Sequence, residues 1–190
     1  MERYYYHGFD EYGYYEGICH MIEILKSGGL KTRNEVRTFK DQRYEHVCLY
    51  RKNDDLDYND KNVYMKSVRS GWIDGCMVFV ISSDIEAYKV RCGSMVGFED
   101  NDEPVTNLID EYRSVGSIPT SKIVSVAIPL DDIKMVMESG VEDYRKKLEN
   151  ALEMLKAVTS ELNITIINSN EKDFTDKKDE ELNRPKEQTV

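Results

Sequence analysis

The chain has 190 residues, of which 40% are hydrophobic and 33% charged, and its formal net charge is −10 at pH 7. This length suits one domain with a sizeable core, and the acidic balance argues against a general polyanion binder, which needs a surface rich in Lys and Arg. No apolar run approaches membrane-spanning length, the start lacks a signal-peptide pattern, and the four scattered cysteines indicate the reduced thiols of a cytoplasmic protein rather than a disulfide framework or a metal site.

The first half of the chain alternates strand and helix signals. In a helical period, the apolar residues of 14–26 form one stripe that ends at Gly28 and Gly29. The predicted elements are a strand at 3–9 that stops at Gly8, a helix at Tyr14–Lys26, a basic loop at 31–45 with short helical pieces, a strand at 46–50, and a strand at 75–82 buried on both faces.

Two compositional features bear on possible ligands. Thirteen Tyr against five Phe and one Trp suit a site that holds a ring, although Tyr is also an ordinary strand residue. Lys31 to Lys52 holds seven basic and three acidic residues, so this segment can face a phosphate despite the acidic whole, although such a segment is more often a solvated loop.

The stretch from Ile109 to Pro129 organises the chain. It predicts a strand with charged residues, a turn at Gly116 to Pro119, and a β-prone strand at Ile123 to Ile128. The polar cluster at 110–113 lies between apolar residues, which is unusual for a strand that only builds a core. Glu111 is therefore the leading candidate for a catalytic carboxylate, and the alternative is a charge that protects a sheet edge.

The C-terminal part predicts an amphipathic helix over 131–162 that Gly140 interrupts, followed by an edge strand at 164–167. Residues 170–190 are charged and nearly free of apolar side chains, and this composition predicts disorder. A single domain is thus expected over 1–169, with its core at about 3–130 and a disordered tail after it.

The order of these signals resembles the ADP-ribosyltransferase superfamily over about residues 3 to 130. It is most similar to the small bacterial and phage branch that includes the DarT-type nucleic-acid-modifying enzymes, with RNA 2'-phosphotransferases as more distant relatives. The residues that carry the resemblance are His7-Gly8 at the end of a strand, Ile24 to Leu30 at the end of a helix, His46 to Leu49, Val78 to Ile81, Glu111, and Gly116 to Pro119 before Ile123.

The resemblance implies an α+β fold, a bent split β-sandwich with flanking helices and a C-terminal amphipathic helix, that holds NAD as a substrate between two small sheets. His7 would then hydrogen-bond the ribose next to nicotinamide, and Gly8 would let the backbone approach the nicotinamide amide. Glu111 would pair with a ribose hydroxyl and stabilise the oxocarbenium-like centre that forms as nicotinamide leaves.

Other parts of the implied NAD site are less well defined. Tyr64 with Trp72 or Tyr88 would enclose the nicotinamide ring. An arginine would bind the pyrophosphate, and the candidates are Arg33, Arg37, Arg43 and Arg51. The family often has Thr after His-Gly, whereas this chain has Phe9, so a contact to a ribose hydroxyl is missing from the pattern.

The function that the resemblance implies is cleavage of NAD at its nicotinamide–ribose bond and transfer of ADP-ribose to a nucleic-acid base or a protein side chain, with a regulatory or antitoxin partner as a further expectation. Two alternatives remain open. One is removal of a 2'-phosphate from RNA with NAD. This activity is disfavoured because it would need a cluster of Arg and His around the phosphate, and the chain has only three His. The other is a non-catalytic protein that binds a nucleotide or a partner.

Overall fold

The structure is a computed structural model, and it describes residues 4–8, 13–36, 45–52, 77–89 and 109–170. These residues form nine strands and four α-helices. The strands are β1 Tyr5–Gly8, β2 Gly29–Leu30, β3 Cys48–Lys52, β4 Val78–Ile81, β5 Ala87–Lys89, β6 Ile109–Ser114, β7 Ile118–Pro119, β8 Ile123–Ile128 and β9 Thr165–Asn168. The helices are α1 Tyr14–Lys26, α2 Arg33–Val36, α3 Leu130–Ser139 and α4 Glu142–Glu161.

Seven of these strands form one sheet in the order β5-β6-β3-β1-β4-β8-β9, and β2 pairs with β7 in a second, two-stranded sheet. All pairs are antiparallel except β8 with β9. The α+β class predicted from the sequence is confirmed.

The β1–β3 junction divides the large sheet into two halves. Strand β1 meets β3 through the single register pair Tyr6–Tyr50, whereas it meets β4 through four pairs from Tyr5 to Gly8. On the other side of the junction, β3 and β6 are joined through five pairs. Within the described residues, β1–β3 is therefore the weakest of these three ladders.

The main core lies between the sheet and helices α1 and α4. Buried side chains of α1, including Ile18 and Met21, meet Phe79 of β4 and Leu148 and Leu155 of α4. A smaller cluster covers the opposite face of the sheet and includes Tyr4, Tyr6, Val78, Val80 and Ala127. Strand β4 is therefore buried on both faces, as its continuous apolar run predicts.

Several predicted boundaries agree with the structure. Helix α1 spans Tyr14–Lys26, and the C-terminal helical stretch is divided at Gly140 into α3 and α4. The short helix α2 lies within the basic loop, and β9 pairs with β8 along the edge of the large sheet. Of the predicted disordered tail, 170–190, Asn170 is ordered in a turn after β9, where its side chain accepts the Asp131 N–H, and residues 171–190 lie outside the described residues.

Helix α3 is capped by side chains from the end of β9. Its N-cap residue, Pro129, makes no side-chain cap, because proline has no side-chain oxygen. Instead, the Leu130 N–H donates to Asn168 Oδ1 at 3.0 Å, and the Asp131 and Asp132 N–H groups donate to Asn170 Oδ1 at 3.0 and 3.3 Å. Three N–H groups that the helix itself leaves unpaired are thereby satisfied.

We expect Asn168→Ala and Asn170→Ala each to lower the free energy of unfolding by about 0.5 to 2 kcal/mol, the usual value of an N-terminal cap. Urea denaturation measures this change. The matched control is Asn150→Ala, on the exposed face of α4, which should be neutral or slightly stabilising because Ala favours helices. Equal stability of all three variants would contradict the assignment of the cap.

Candidate active site

His7 lies at the end of β1, half-buried, on the face of the sheet that carries α1. Its Nδ1 donates a hydrogen bond to the carbonyl oxygen of Cys48 at 2.8 Å. Burial lowers the pKa of His7 below 6.5; the bond to Cys48 opposes this shift, and the charge of His20 adds to it. The imidazole is therefore neutral at pH 7 with its proton on Nδ1, which leaves Nε2 as a hydrogen-bond acceptor.

This protonation state predicts a pH dependence of stability. Because the folded pKa of His7 lies below its unfolded value of 6.5, the unfolded chain binds more protons between the two values. The contribution of His7 is thus complete above pH 6.5 and is lost as the pH falls through the folded pKa. Denaturation between pH 7.5 and pH 5 should show a steeper loss for the wild type than for His7→Asn, which has a side-chain N–H to offer Cys48 but does not titrate. Equal pH dependence of the two free energies of unfolding would contradict the lowered pKa of His7.

Glu111 lies in the middle of β6, and the structure describes its backbone. It is the register partner of Tyr50 on β3, and Tyr50 is the partner of Tyr6 on β1. With neighbouring strands about 4.8 Å apart, the backbones of His7 and Glu111 are separated by about 10 Å. The fold thus brings together two residues that are 104 positions apart in the sequence.

The end of β1 separates the two faces of this region. Tyr6 belongs to the cluster opposite α1, whereas Phe79, the register partner of His7, belongs to the main core. Tyr6, Tyr50 and Glu111 form a row of register partners across three strands. A ligand that contacts both this row and the imidazole of His7 must therefore pass over Gly8, where the absence of a side chain leaves room.

The other predicted site residues are spread over different places. Arg33 is exposed on α2, and Tyr88 is 51% exposed on β5, at the edge of the large sheet. Arg51 belongs to β3, where its backbone alone is described. Tyr64, Trp72, Arg37 and Arg43 lie outside the described residues.

Strands β2 and β7 join two of the motifs behind the resemblance. Gly29 pairs with Pro119 and Leu30 with Ile118. The Thr32 N–H donates to Ser117 Oγ at 2.9 Å, and the Thr120 N–H donates to the Gly28 carbonyl at 3.0 Å. The glycine pair Gly28-Gly29, which the sequence predicts as the stop of α1, therefore also forms the contact with β7.

An open cleft of about 550 Å³ lies where β6 ends, and we call it the β6 cleft. Its lining residues come from four segments of the chain: Thr32, Asn34, Glu35, Glu45, His46, Tyr88, Ser114, Val115 and Gly116. Tyr88 is the one predicted site residue among them. The volume falls in the range of small-molecule sites in proteins.

Ser114 fixes the floor of the β6 cleft. Its side chain is 2% exposed; Oγ donates to the Gly116 carbonyl at 2.6 Å and accepts from the Val47 N–H at 2.9 Å. The next residue, Val115, donates its N–H to the Glu86 carbonyl at 2.9 Å. The turn after β6 is thereby tied to the residues before β3 and β5, so the cleft is preformed.

The sequence interpretation missed Ser114 and its neighbour Arg113. Arg113 is half-buried, and its Nε atom is shielded from solvent. The sequence did contain a pattern that points to Arg113: it lies two positions after Glu111, and alternate positions of a strand share one face.

No group of three or more His, Cys, Asp or Glu side chains able to hold a metal ion occurs within the described residues. None of the helices in this part of the chain is long and apolar enough to cross a membrane.

No protein-family model matches the chain, and a search of curated proteins finds no match. The case for a function therefore depends on the placement of its own residues.

Proposed function

We propose that the chain is an NAD-dependent mono-ADP-ribosyltransferase that cleaves the nicotinamide–ribose bond of NAD and transfers ADP-ribose to a macromolecular acceptor, a protein side chain or a nucleic-acid base, in the cytoplasm. Its NAD-binding region centres on His7 and Gly8, and Glu111 is the catalytic residue.

The observation that carries the proposal is the convergence of motifs from distant parts of the sequence. His7 and Gly8 end β1, and Glu111 lies on β6, with β3 as the strand between them. The glycine pair after α1 and the Ser-Ile-Pro segment after Glu111 meet as β2 and β7. The order of these motifs in the sequence carries the resemblance, and the pairing of β2 with β7 and the approach of β6 to β1 across one strand support it.

The chemistry of His7 agrees with a role in binding ribose. A neutral imidazole with Nδ1 held by the Cys48 carbonyl presents Nε2 as an acceptor, and a ribose hydroxyl is a suitable donor. The bond to Cys48 also fixes the orientation of the ring before a ligand arrives. Part of the cost of ordering the side chain is thus met on folding.

A carboxylate at position 111 would act by electrostatics. As nicotinamide departs, positive charge develops on C1 and the ring oxygen of the ribose. A fixed negative charge close to that centre stabilises the transition state more than the ground state, because the nicotinamide-side ribose is more cationic in the transition state. Removal of one such group costs enzymes about 10²- to 10³-fold in turnover.

The β1–β3 junction supports a split sheet of the kind that the resemblance implies. A sheet joined there through one register pair can bend between its halves more readily than one with a continuous ladder. The proposed reaction centre lies across this junction, with Gly8 on one side and Glu111 on the other.

The test is to incubate the purified full chain with NAD, with and without cell extract, and to follow free nicotinamide and the label of NAD that carries tagged adenosine. We expect nicotinamide release that depends on Glu111, and transfer of label to a macromolecule whose digestion by protease or nuclease identifies its class. Absence of NAD binding and of turnover under all conditions would reject the proposal in favour of a non-catalytic protein.

A further inference from the structure

Strand β6 carries a positively charged residue, Arg113, two positions after Glu111. Tyr112 packs against the main core, with its ring centroid 5.2 Å from that of Tyr5. Arg113, the next residue, therefore lies on the opposite face of the sheet. Tyr6 and Val78, the register partner of Gly8, lie on that same face. The backbone of Arg113 is about 7 Å further along β6 than that of Glu111.

The neighbours of Arg113 connect this cation to the β6 cleft. Arg113 is the register partner of Cys48 on β3 and of Tyr88 on β5. Tyr88 lines the cleft, and so do the residues that follow Arg113, from Ser114 to Gly116. Along the strand, position 113 thus lies between that of Glu111 and the residues that line the cleft.

The cleft itself is suited to an uncharged group. The carboxylates of Glu35 and Glu45 line it, and none of its described lining residues is Lys or Arg, so a phosphate inside it would be repelled. Amino and hydroxyl groups, in contrast, can donate to these carboxylates. The half-exposed ring of Tyr88 offers a face on which a planar base can stack.

We propose that Arg113 binds the pyrophosphate of NAD and that the β6 cleft receives the adenosine. This inference rests on the proposed function and specifies how the substrate lies. Along β6, the catalytic position, the cation and the cleft follow one another in the order of nicotinamide ribose, pyrophosphate and adenosine in NAD. A guanidinium group matches a pyrophosphate well because it donates two parallel hydrogen bonds.

Calorimetric titration with ADP-ribose, which has no nicotinamide bond to cleave, tests the assignment. Arg113→Gln should bind ADP-ribose about 10- to 100-fold more weakly than the wild type. Arg113→Lys keeps the charge but not the two parallel bonds and should fall between them. Inhibition of NAD cleavage by nicotinamide, which has no phosphate, should keep its inhibition constant in both variants.

Two further variants serve as controls. Arg145→Gln removes an exposed arginine from α4 and should bind ADP-ribose as the wild type does. Tyr88→Val keeps a strand-favouring residue at an exposed edge position and should weaken the binding of AMP and of ADP-ribose, which reports on the cleft even if Arg113→Gln fails to fold.

The outcomes separate the two levels of the argument. If the wild type cleaves NAD but folded Arg113 variants bind ADP-ribose with unchanged affinity, the assignment of the pyrophosphate is wrong and the proposed function stands. Unchanged AMP binding by Tyr88→Val would overturn the assignment of the cleft. If the wild type neither binds ADP-ribose nor cleaves NAD, the proposed function fails, and this inference fails with it.

Discussion

Replacement of Glu111 by Gln is expected to slow NAD cleavage by about 10²- to 10³-fold while the protein remains folded. Glutamine has nearly the shape of glutamate, so the change removes the negative charge and little else. The loss should appear mainly in kcat, because the charge matters most when the ribose is cationic. Steady-state release of nicotinamide measures it.

The matched control is Glu138→Gln, which removes an exposed carboxylate on α3 and should leave turnover unchanged. Both variants have the same net charge, so a general effect of the acidic surface would affect them equally. Turnover by Glu111→Gln at the wild-type rate would exclude Glu111 as the catalytic carboxylate.

Gly29→Ala is expected to destabilise the fold by about 3 kcal/mol or more, which corresponds to a fall in Tm of roughly 6 to 12 °C for a chain of this size. A Cβ at position 29 would collide with the carbonyl oxygen of Ile118 and lie 2.8 Å from the Thr120 nitrogen. Both are backbone atoms of the β7 segment, so neither can move without breaking the β2–β7 pair. The φ angle of +128° adds strain for any residue with a side chain.

Gly28→Ala separates these two causes. Gly28 also has a positive φ, +95°, but a Cβ there meets nothing within 4 Å. We therefore expect a smaller loss, about 1 to 2 kcal/mol from backbone strain alone. Thermal denaturation of both variants measures the difference, and an equal effect would mean that the close approach of β2 and β7 contributes nothing.

Local sequence patterns predicted the elements whose signals are complete within a short stretch. The stripe of α1, the apolar run of β4 and the break at Gly140 each depend on residues close in the chain, so periodicity and glycine placement were sufficient. The position of Glu111 in a charged strand was predicted in the same way. Its place across β3 from the end of β1 could be expected only through the resemblance.

The remaining features depend on partners that are far away in the sequence. Gly29 appeared to be a helix stop because its second role needs Ile118 and Pro119, and no local pattern signals that pairing. The cap of α3 needs Asn168 and Asn170, which follow a complete helix later in the chain. The β6 cleft is formed by four segments of the chain, and the place of Arg113 beside Cys48 and Tyr88 depends on the pairing of β6 with β3 and β5.

The β1–β3 junction also has a mechanical consequence. Among the described residues, one register pair and the bond from His7 to the Cys48 carbonyl join β1 to β3 at the point where NAD is proposed to lie. A dinucleotide that touches Gly8 on one half and β6 on the other would connect the two halves of the sheet across the β1–β3 junction. Amide protons of β3 should then exchange with deuterium more slowly when the ligand is bound. Part of the free energy of ligand binding would thus stabilise the β1–β3 junction against opening.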